Sequence, residues 1–523
     1  MSVDDVRAQV QAWLADEIDP LAADELRTLQ GRADAGDAAA TAELADRFAG
    51  PLTFGTAGLR GPMRAGPNGM NRAVVRRAAA GFAAWLQAKG ASGRPVVVGF
   101  DGRHLSEEFA RDSAAIFAAQ GFDARLMPRL LPTPVLAFAV RHLDAAAGVM
   151  VTASHNPPQD NGYKVYVGDG AQIVPPVDAE IETAIGLVGP VRDIPLADTV
   201  TVLDESIVED YVTAVAGLLD LGPRALRIVH TAMHGVGTEV LSKVFAAARF
   251  DPLIKVSAQA APDPDFPTVS FPNPEEPGAM DLALALARDE AADLVLANDP
   301  DADRCAVGVK DGEGWRMLRG DEVGVLLADW LLARGVRGTY ATSIVSSSML
   351  RAMAHQHGVG YVETLTGFKW IARAAPDLAF GYEEALGYAV APYVVRDKDG
   401  ISAALFVAAC AAELTERDSS LTQRLEELAT EYGRYATDQI SVRVDDLAII
   451  TSTMARLRAA PPRTLLGQQV RVDDLLPDAD VLRLSWDGGR VVVRPSGTEP
   501  KLKAYLEVVL PDGSAEEAAD QLA

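Results

Sequence analysis

The sequence predicts an α/β protein with three related α/β domains, whose mixed sheets are mainly parallel, and a smaller C-terminal α+β domain. A chain of 523 residues is long enough for three or four domains, each with its own core. Three stretches, residues 96–122, 226–250 and 338–361, share one succession: a β-rich run, a polar loop, a helical pattern and a second apolar run. Such a succession is typical of α/β units with parallel strands.

The first 50 residues are predicted to form a separate helical segment, because their apolar residues fall on one helical stripe. The stripe consists of Val6, Val10, Trp13 and Leu14. Nothing in this segment indicates chemistry, so we expect a packing or capping extension. The predicted boundaries are 1–50 for the extension, 51–215, 216–330 and 331–435 for the α/β domains, and 436–523 for the last domain.

The last domain has a different pattern. Two β-rich runs in VLRLSWDGGRVVVRPSG are joined through Asp487, Gly488 and Gly489, a strong hairpin pattern. In KLKAYLEVVL, alternation places four apolar residues on one face. These are Leu502, Ala504, Leu506 and Val508. Both patterns predict an antiparallel sheet.

The composition argues against several classes of protein. The formal net charge of −25 disfavours nucleic acid, which is bound mainly through its phosphates. The longest apolar run, residues 403–412, is shorter than the ~18 residues that a membrane span needs. Only two cysteines occur, and the N-terminus carries acids where a signal peptide has basic residues. We expect a soluble, cytoplasmic protein that binds neither nucleic acid nor a membrane.

A serine in TASHNPPQDNGYKVY, residues 152–166, is surrounded by turn-forming residues. Ser154, His155 and Asn156 begin the turn, two prolines bend it, and Lys164 follows on a short strand. An ordinary Ser/Asn turn is one interpretation. The G-x-S-x-G pattern of a hydrolase nucleophile is absent. Because a serine that holds a reactive group needs a rigid loop, Ser154 is a candidate catalytic residue.

Three carboxylates follow the β-rich run LVLA in the stretch ANDPDADRC. In an extended loop Asp299, Asp301 and Asp303 point the same way, so they can converge on one hard cation. An EF-hand fits poorly, because Arg304 and Lys310 stand where its glycine and glutamate belong. A solvated acidic turn remains the alternative. Mg²⁺ keeps positions open for a phosphate oxygen or water, and we predict a Mg²⁺ site here.

The stretch VRPSGTEPKLK is a candidate phosphate site. Arg494 can bind a phosphate through two hydrogen bonds. A turn through Ser496, Gly497 and Thr498 can direct backbone N–H groups and hydroxyls at the same anion. The G-x-x-x-x-G-K-[ST] pattern of a Walker loop is absent.

Two further loops are candidates for binding a sugar. GYEEALGY contains Glu383 and Glu384, and a glutamate can accept two hydroxyl hydrogen bonds from a sugar. TGFKWI adds Thr366, Gly367 and Lys369. Because paired acids between glycines also occur in ordinary polar loops, a loop without a binding role remains the alternative interpretation. The stretch GVGTEV lacks the third glycine of a dinucleotide fingerprint and is weak support for NAD.

Together these motifs resemble the α-D-phosphohexomutase superfamily, which includes phosphoglucomutases and phosphomannomutases. The resemblance runs in the family's order from FGTAGLRG, residues 54–61, to SGTEPKLK, residues 496–503. It implies three α/β domains and a smaller fourth domain around a central cleft. It also implies an isomerase that transfers a phosphoryl group between two carbons of one sugar.

The resemblance implies a role for each motif. Ser154 would carry the phosphoryl group and would bind Mg²⁺ together with Asp299, Asp301 and Asp303. The catalytic group would also include Arg60, His155, Lys164, Arg304 and Lys398. The glutamate loop would bind sugar hydroxyls, and the Arg494 loop would bind phosphate. A sugar bisphosphate such as glucose 1,6-bisphosphate would be intermediate and activator.

The expected substrate pair is glucose 1-phosphate and glucose 6-phosphate. FGTAGLRG, TGFKWI and GYEEALGY are most similar to the branch that contains phosphopentomutases and some bacterial phosphoglucomutases. Many hexose-specific members have serine where Ala385 stands. Pentose and mannose phosphates are therefore alternative substrates, and a sugar phosphatase or a non-catalytic sugar-phosphate binder is the alternative of another class. We expect a monomer or a homodimer.

Overall fold

The computed structural model describes residues 3–53, 58–220, 222, 224–312, 314–444, 446–496, 501–511 and 513–522. The chain forms two compact units. The first contains the residues up to Asp220, Leu226–Cys305 and Tyr393–Leu405; the second contains Ala306–Pro392, the residues from Phe406 onward and a short segment before Leu226. No helix within the described ranges is long and apolar enough to span a lipid bilayer.

Three helices begin the first unit: α1 Val3–Asp16, α2 Pro20–Asp34 and α3 Ala38–Arg47. The predicted apolar stripe is the packing face of α1. Val6 and Val10 are buried, and Trp13 and Leu14 pack partly buried beside them. The three helices therefore share one small core.

The first α/β domain forms a six-stranded mixed sheet. Its elements are β1 Leu59–Pro62, α4 Arg72–Ala88, β2 Pro95–Phe100, α5 Ser106–Ala119, β3 Asp123–Leu126, α6 Thr133–His142, β4 Ala147–Val151, β5 Asp160–Val167, α7 Val177–Gly186, β6 Thr201–Val202 and α8 Ser206–Ala216. The strand order is β1-β5-β4-β2-β3-β6. β4, β2, β3 and β6 are parallel, whereas β5 is antiparallel to β4 and β1. The central strands are continuous apolar runs because both of their faces are buried.

The second α/β repeat contributes three parallel strands to the first unit. Its elements are β7 Ile228–Thr231, α9 Gly237–Ala247, β8 Ile254–Lys255, α10 Asp281–Asp289 and β9 Leu294–Ala297. β7 pairs with both β8 and β9. The loops that follow β7 and β9 therefore lie at the same edge of the sheet.

The rest of the chain contains the third repeat and the C-terminal domain. After β9 the elements are β10 Ala306–Asp311, β11 Gly314–Met317, α11 Gly320–Ala333, β12 Thr339–Ser343, α12 Met349–His357, β13 Gly360–Thr364, α13 Phe368–Ile371, β14 Leu378–Glu383, β15 Gly387–Ala389, α14 Gly400–Glu416, α15 Leu421–Tyr432, β16 Arg434–Arg443, α16 Leu447–Ala459, β17 Thr464–Leu465, β18 Gln468–Gln469, β19 Arg471–Asp474, β20 Leu482–Trp486, β21 Gly489–Pro495, β22 Lys501–Leu510 and α17 Ala515–Leu522. β12 is parallel to β13 and β14, and β15 returns antiparallel to β14.

The predicted fold class is confirmed. The three repeated stretches are β2–α5–β3, β7–α9–β8 and β12–α12–β13, and in each the two strands pair in parallel. The C-terminal sheet is antiparallel in the order β16-β22-β21-β20-β19. Gly488, with φ +95°, lies in the turn between β20 and β21 as the hairpin pattern predicts. The alternating apolar residues of β22 predicted one buried face. The other face is also partly buried, because Tyr505 packs in one cluster with Ile344 and Val345.

Candidate active site

The serine loop, residues 152–159, joins β4 to β5 and holds Ser154 in a constrained conformation. Ser154 is buried with φ +52°, a left-handed conformation that costs a non-glycine residue roughly 1–2 kcal/mol. Its N–H donates to Thr152 Oγ1 at 2.9 Å. Its Oγ donates to Asp299 Oδ2 at 2.7 Å and lies 3.3 Å from His155 Nδ1. The surroundings thus fix the hydroxyl against a carboxylate from the loop that follows β9.

Arg103 braces this loop, and the sequence reasoning missed it. Its guanidinium donates to four main-chain carbonyls, those of Ser154 at 2.6 Å, Asn156 at 2.5 Å, Pro157 at 2.8 Å and Asp160 at 3.1 Å. Asp101 accepts from Thr152 Oγ1 at 2.6 Å. The sequence pattern that could have indicated Arg103 is the polar run DGR directly after β2. Its importance depends on β2 lying beside β4, because residues at the carboxyl ends of adjacent parallel strands meet.

The metal loop, residues 299–303, follows β9 and brings three buried carboxylates together. Oxygen atoms of Asp299, Asp301 and Asp303 all lie within 4.8 Å of one another. The loop is a turn and not the extended segment that the sequence predicted. Ala302 N donates to Asp299 O at 2.9 Å, and Ala302 has φ +55°. The carboxylates therefore converge because the chain turns, rather than through strand-like alternation.

This cluster fits a divalent cation. Lys164 Nζ donates to Asp301 Oδ2 at 2.7 Å and to Asp303 Oδ2 at 2.8 Å. The other oxygen of each carboxylate, Oδ1, accepts no hydrogen bond from any residue that the structure describes. Burying an ionised oxygen without a partner is costly, and carboxylate oxygens are the ligands that Mg²⁺ and Ca²⁺ prefer. A cation held by these oxygens would remove that cost.

The ionisation of the cluster follows from burial and from Lys164. Burial alone would lower the pKa of Lys164, but the charges of Asp301 and Asp303 outweigh burial and raise it. Burial would raise the pKa of Asp301, yet the Lys164 ammonium holds it far below its usual range. For Asp299, burial and the two neighbouring carboxylates act together and raise the pKa. The lysine thus compensates only part of the cluster's negative charge.

The other predicted cations surround the same cluster. Lys398 Nζ lies 3.3 Å from Asp303 Oδ2, and Arg304 Nε lies 3.9 Å from Asp299 Oδ2. Arg60 donates to the side chain of Asn156 at 3.1 Å. Burial, followed by the charges of Arg304, Arg60 and Lys398, lowers the pKa of His155 well below its usual value, so this imidazole is neutral at pH 7. With Lys164, four cations lie around the three carboxylates, where they could contact a bound phosphate; Arg304 also lies 3.7 Å from Glu275 Oε2.

Lys398 reaches this site because the segment Tyr393–Leu405 packs within the first unit. Asp397 accepts hydrogen bonds from Tyr166 Oη at 2.8 Å and Gln172 Nε2 at 2.7 Å. Asp399 accepts from Tyr211 Oη at 2.9 Å. These buried anchors were not identified from the sequence, because their partners lie about 200 positions earlier in the chain.

In the second unit, the sugar loop, residues 383–386, begins at the last residue of β14 and leads into β15. Glu384 Oε2 accepts from Ser343 Oγ at 3.0 Å and Ser346 Oγ at 3.1 Å. The sequence reasoning overlooked these serines, which belong to the run SIVSSS that begins at the last residue of β12. Gly320 is required here, because a Cβ at this position would lie 1.9 Å from Glu384 O. The loop is thus held firmly, with Glu383 buried at the end of β14.

The loop after β13 lies at the same edge of the sheet as the sugar loop, because β12, β13 and β14 are parallel. Thr366 and Gly367 precede α13, and Gly367 has φ +110°. Lys369 is buried in α13. The structure therefore brings the two predicted sugar-binding segments to one edge of the sheet.

The predicted phosphate loop is described only in part. Arg494 lies on β21 opposite Lys503, and Ser496 N donates to Lys501 O at 2.8 Å. Gly497 and Thr498 lie outside the described residues. The predicted phosphate site therefore stays a prediction.

Four family models match the chain in succession. They are phosphoglucomutase/phosphomannomutase alpha/beta/alpha domain I over residues 51–187, domain II over 209–312, domain III over 319–432 and the C-terminal domain over 440–523. Together they cover most of the sequence that follows the N-terminal helices.

Three curated relatives carry different substrate names. A Haemophilus influenzae protein named "Probable phosphomannomutase" is 48% identical, with the match covering 84% of this chain and 93% of the relative. The phosphopentomutase of Mus musculus is 36% identical over 96% of this chain and 90% of its own. The phosphoglucomutase of a Staphylococcus aureus strain is 33% identical over 90% and 92%. These relatives agree on the reaction class and differ in the sugar.

Proposed function

The chain belongs to the phosphoglucomutase/phosphomannomutase family, in the α-D-phosphohexomutase superfamily, and is an intramolecular phosphotransferase; we propose that it interconverts glucose 1-phosphate and glucose 6-phosphate through a phosphoserine at Ser154. The observation that carries this proposal is the buried Ser154 hydroxyl, 2.7 Å from Asp299, in a carboxylate cluster that pairs with Lys164 and Lys398. Phosphoryl transfer depends mainly on positioning and charge stabilisation, and this arrangement supports both.

In the first half-reaction, the sugar hydroxyl attacks the phosphoserine phosphorus. The new O–P bond forms as the Ser154 Oγ–P bond breaks, and the hydroxyl proton ends on Ser154 Oγ. Lys164 is proposed to exchange this proton, because it is buried and protonated beside the same carboxylates. The bisphosphorylated sugar then reorients, and Ser154 accepts its other phosphoryl group. Glucose 1,6-bisphosphate would prime an unphosphorylated enzyme by the same step.

Asp299, Asp301, Asp303 and Ser154 Oγ would hold Mg²⁺, which supplies positive charge at the transferring phosphoryl group. Arg60, Arg304 and Lys398 are proposed to contact phosphate oxygens. Glu383 and Glu384 are proposed to bind sugar hydroxyls, with Thr366, Gly367 and Lys369 beside them. Arg494, Ser496, Gly497 and Thr498 are proposed to bind the phosphate that is not transferred.

A pentose phosphate is the second candidate substrate. Ala385 lacks the hydroxyl that could bind one more sugar oxygen, so a smaller sugar leaves no protein group unpaired there. The match to the mouse phosphopentomutase over 96% of this chain favours the same alternative.

A panel assay tests the proposal. Glucose, mannose, glucosamine and pentose 1-phosphates would be supplied with Mg²⁺ and catalytic bisphosphate, and product and inorganic phosphate would be measured together. We expect conversion of glucose 1-phosphate without stoichiometric phosphate release. Phosphate release at the turnover rate would instead indicate a phosphatase, and binding without conversion would indicate a sugar-phosphate binder.

A further inference from the structure

A buried histidine on β7, His230, has no role in the chemistry proposed above. Its Nε2 lies 3.1 Å from Asn298 Oδ1, and its Nδ1 has no hydrogen-bond partner among the residues that the structure describes. Burial lowers the pKa of His230 to about 4, so the ring is neutral at pH 7. Since Oδ1 can only accept, the neutral ring must carry its proton on Nε2 and donate to Asn298.

Asn298 joins the two ends of the metal loop. It directly precedes Asp299, and its Nδ2 donates to Arg304 O, directly after Asp303, at 2.7 Å. This bond fixes the amide orientation, with nitrogen toward Arg304 and oxygen toward His230. Asn298 N also donates to Thr231 O at 3.0 Å, which continues the pairing of β9 with β7. The Asn298 side chain thus closes the loop that carries the three carboxylates.

The middle of the metal loop is held from other elements. Val236 N donates to Pro300 O and Thr133 N donates to Asp301 O, each at 2.9 Å. Gly235 lies directly against Pro300, because a Cβ there would be 2.3 Å from Pro300 Cα. These contacts anchor the middle of the metal loop. The Asn298 amide, which His230 orients, connects its two ends.

We propose that His230 is a positioning residue for the divalent-cation site, and that its Nε2–H holds the Asn298 amide so that Asp299 and Asp303 keep the spacing a cation needs. Mg²⁺ demands near-ideal geometry, and groups that orient metal ligands typically affect affinity by about 10- to 100-fold. Without the His230 donor, Asn298 Oδ1 would be buried and unpaired, which favours rotation of the amide and loss of the bond to Arg304. The inference rests on the proposed function in one respect, the binding of a cation by the three aspartates.

Two amide substitutions distinguish the loss of the Nε2–H donor from the loss of the imidazole ring itself. In His230→Gln the side-chain nitrogen can reach the position of Nε2, whereas in His230→Asn it reaches only that of Nδ1. Mn²⁺ binding to the metal-free, full-length protein would be measured by electron paramagnetic resonance, followed by displacement with Mg²⁺. We expect His230→Asn to bind both ions about 10-fold more weakly than wild type, and His230→Gln to remain within about threefold. Thermal unfolding in EDTA would be recorded for each variant.

The proposal is overturned if His230→Asn binds Mn²⁺ like wild type, or if His230→Gln is as weak as His230→Asn. A purely structural role would lower the unfolding temperature in EDTA and leave Mn²⁺ affinity unchanged, which also overturns it. If His230→Asn does not fold, Asn298→Ser replaces it and must show the same weakening. Wild-type turnover in the panel assay is scored separately, so a failure of the mutase proposal is distinguishable from a failure of this one.

Discussion

The hydroxyl of Ser154 lies 2.7 Å from the carboxylate of Asp299, although 145 positions separate the two residues in the chain. The serine loop and the metal loop are therefore parts of one site. A phosphoryl group on Ser154 would be held directly beside the cation ligands, where positive charge stabilises its transfer most.

Ser154→Ala should reduce turnover at least about a thousandfold, because the phosphoryl carrier is lost. Substrate affinity should remain within a few-fold of wild type, since the phosphate and sugar contacts remain. Intact-mass spectrometry should show a phosphorylated fraction in wild type that is missing in the variant. Full activity in Ser154→Ala would end the covalent mechanism.

Asp301→Asn should weaken Mg²⁺ by at least about 1.4 kcal/mol, roughly tenfold, because one of three charged ligands becomes neutral. Calorimetric Mg²⁺ titration and turnover as a function of Mg²⁺ would measure this. Asp311→Asn, at an exposed position on β10, is the matched control and should leave both unchanged. Undiminished wild-type activity in excess chelator would show that the aspartates do not form a catalytic metal site.

Arg103→Lys should lower kcat about 10- to 100-fold with a smaller effect on KM, because a lysine keeps the charge but cannot bridge four carbonyls. Single-turnover transfer from the phosphorylated enzyme would isolate the chemical step. Arg111→Lys, whose arginine forms an exposed pair with Glu107, serves as the control. An unchanged single-turnover rate in Arg103→Lys would contradict a positioning role for the arginine.

Arg494→Ala should raise KM about 10- to 100-fold with little change in kcat. A charge-assisted phosphate contact contributes about 1.5–3 kcal/mol, and the phosphate that is not transferred is bound in both half-reactions. Steady-state kinetics would separate the two constants. A KM equal to that of wild type would place the phosphate elsewhere.

Ala385→Ser should shift the ratio of kcat/KM values from pentose toward hexose by no more than about 1 kcal/mol, roughly fivefold. Ala385 is only partly buried in the turn between β14 and β15, so the added hydroxyl can be accommodated. Competition between glucose 1-phosphate and ribose 1-phosphate would measure the ratio directly. The specificity argument is lost if wild type has no pentose activity, or if the folded variant leaves the ratio unchanged.

The strands, the repeats, the serine loop and the metal loop could be predicted from the sequence because their patterns are local. The hairpin through Gly488 and the aspartates after LVLA are each contained within about ten residues, where alternation and turn chemistry act directly. The clustering of Asp299, Asp301 and Asp303 was predicted correctly, although the turn that produces it was not.

Residues whose role depends on distant partners could not be found in this way. Arg103 braces a loop 51 positions later, and Ser343 bonds to Glu384 across 41 positions, so both stretches resemble ordinary polar loops in the sequence. Likewise Lys398 lies beside the metal loop, and the flanking residues Asp397 and Asp399 are anchored by hydrogen bonds from Tyr166 and Tyr211, far earlier in the chain. The sequence by itself determined the family motifs and the candidate groups for the chemistry. Tertiary structure alone decided which buried hydrogen bonds hold them in place, because strand pairing and packing bring those partners together.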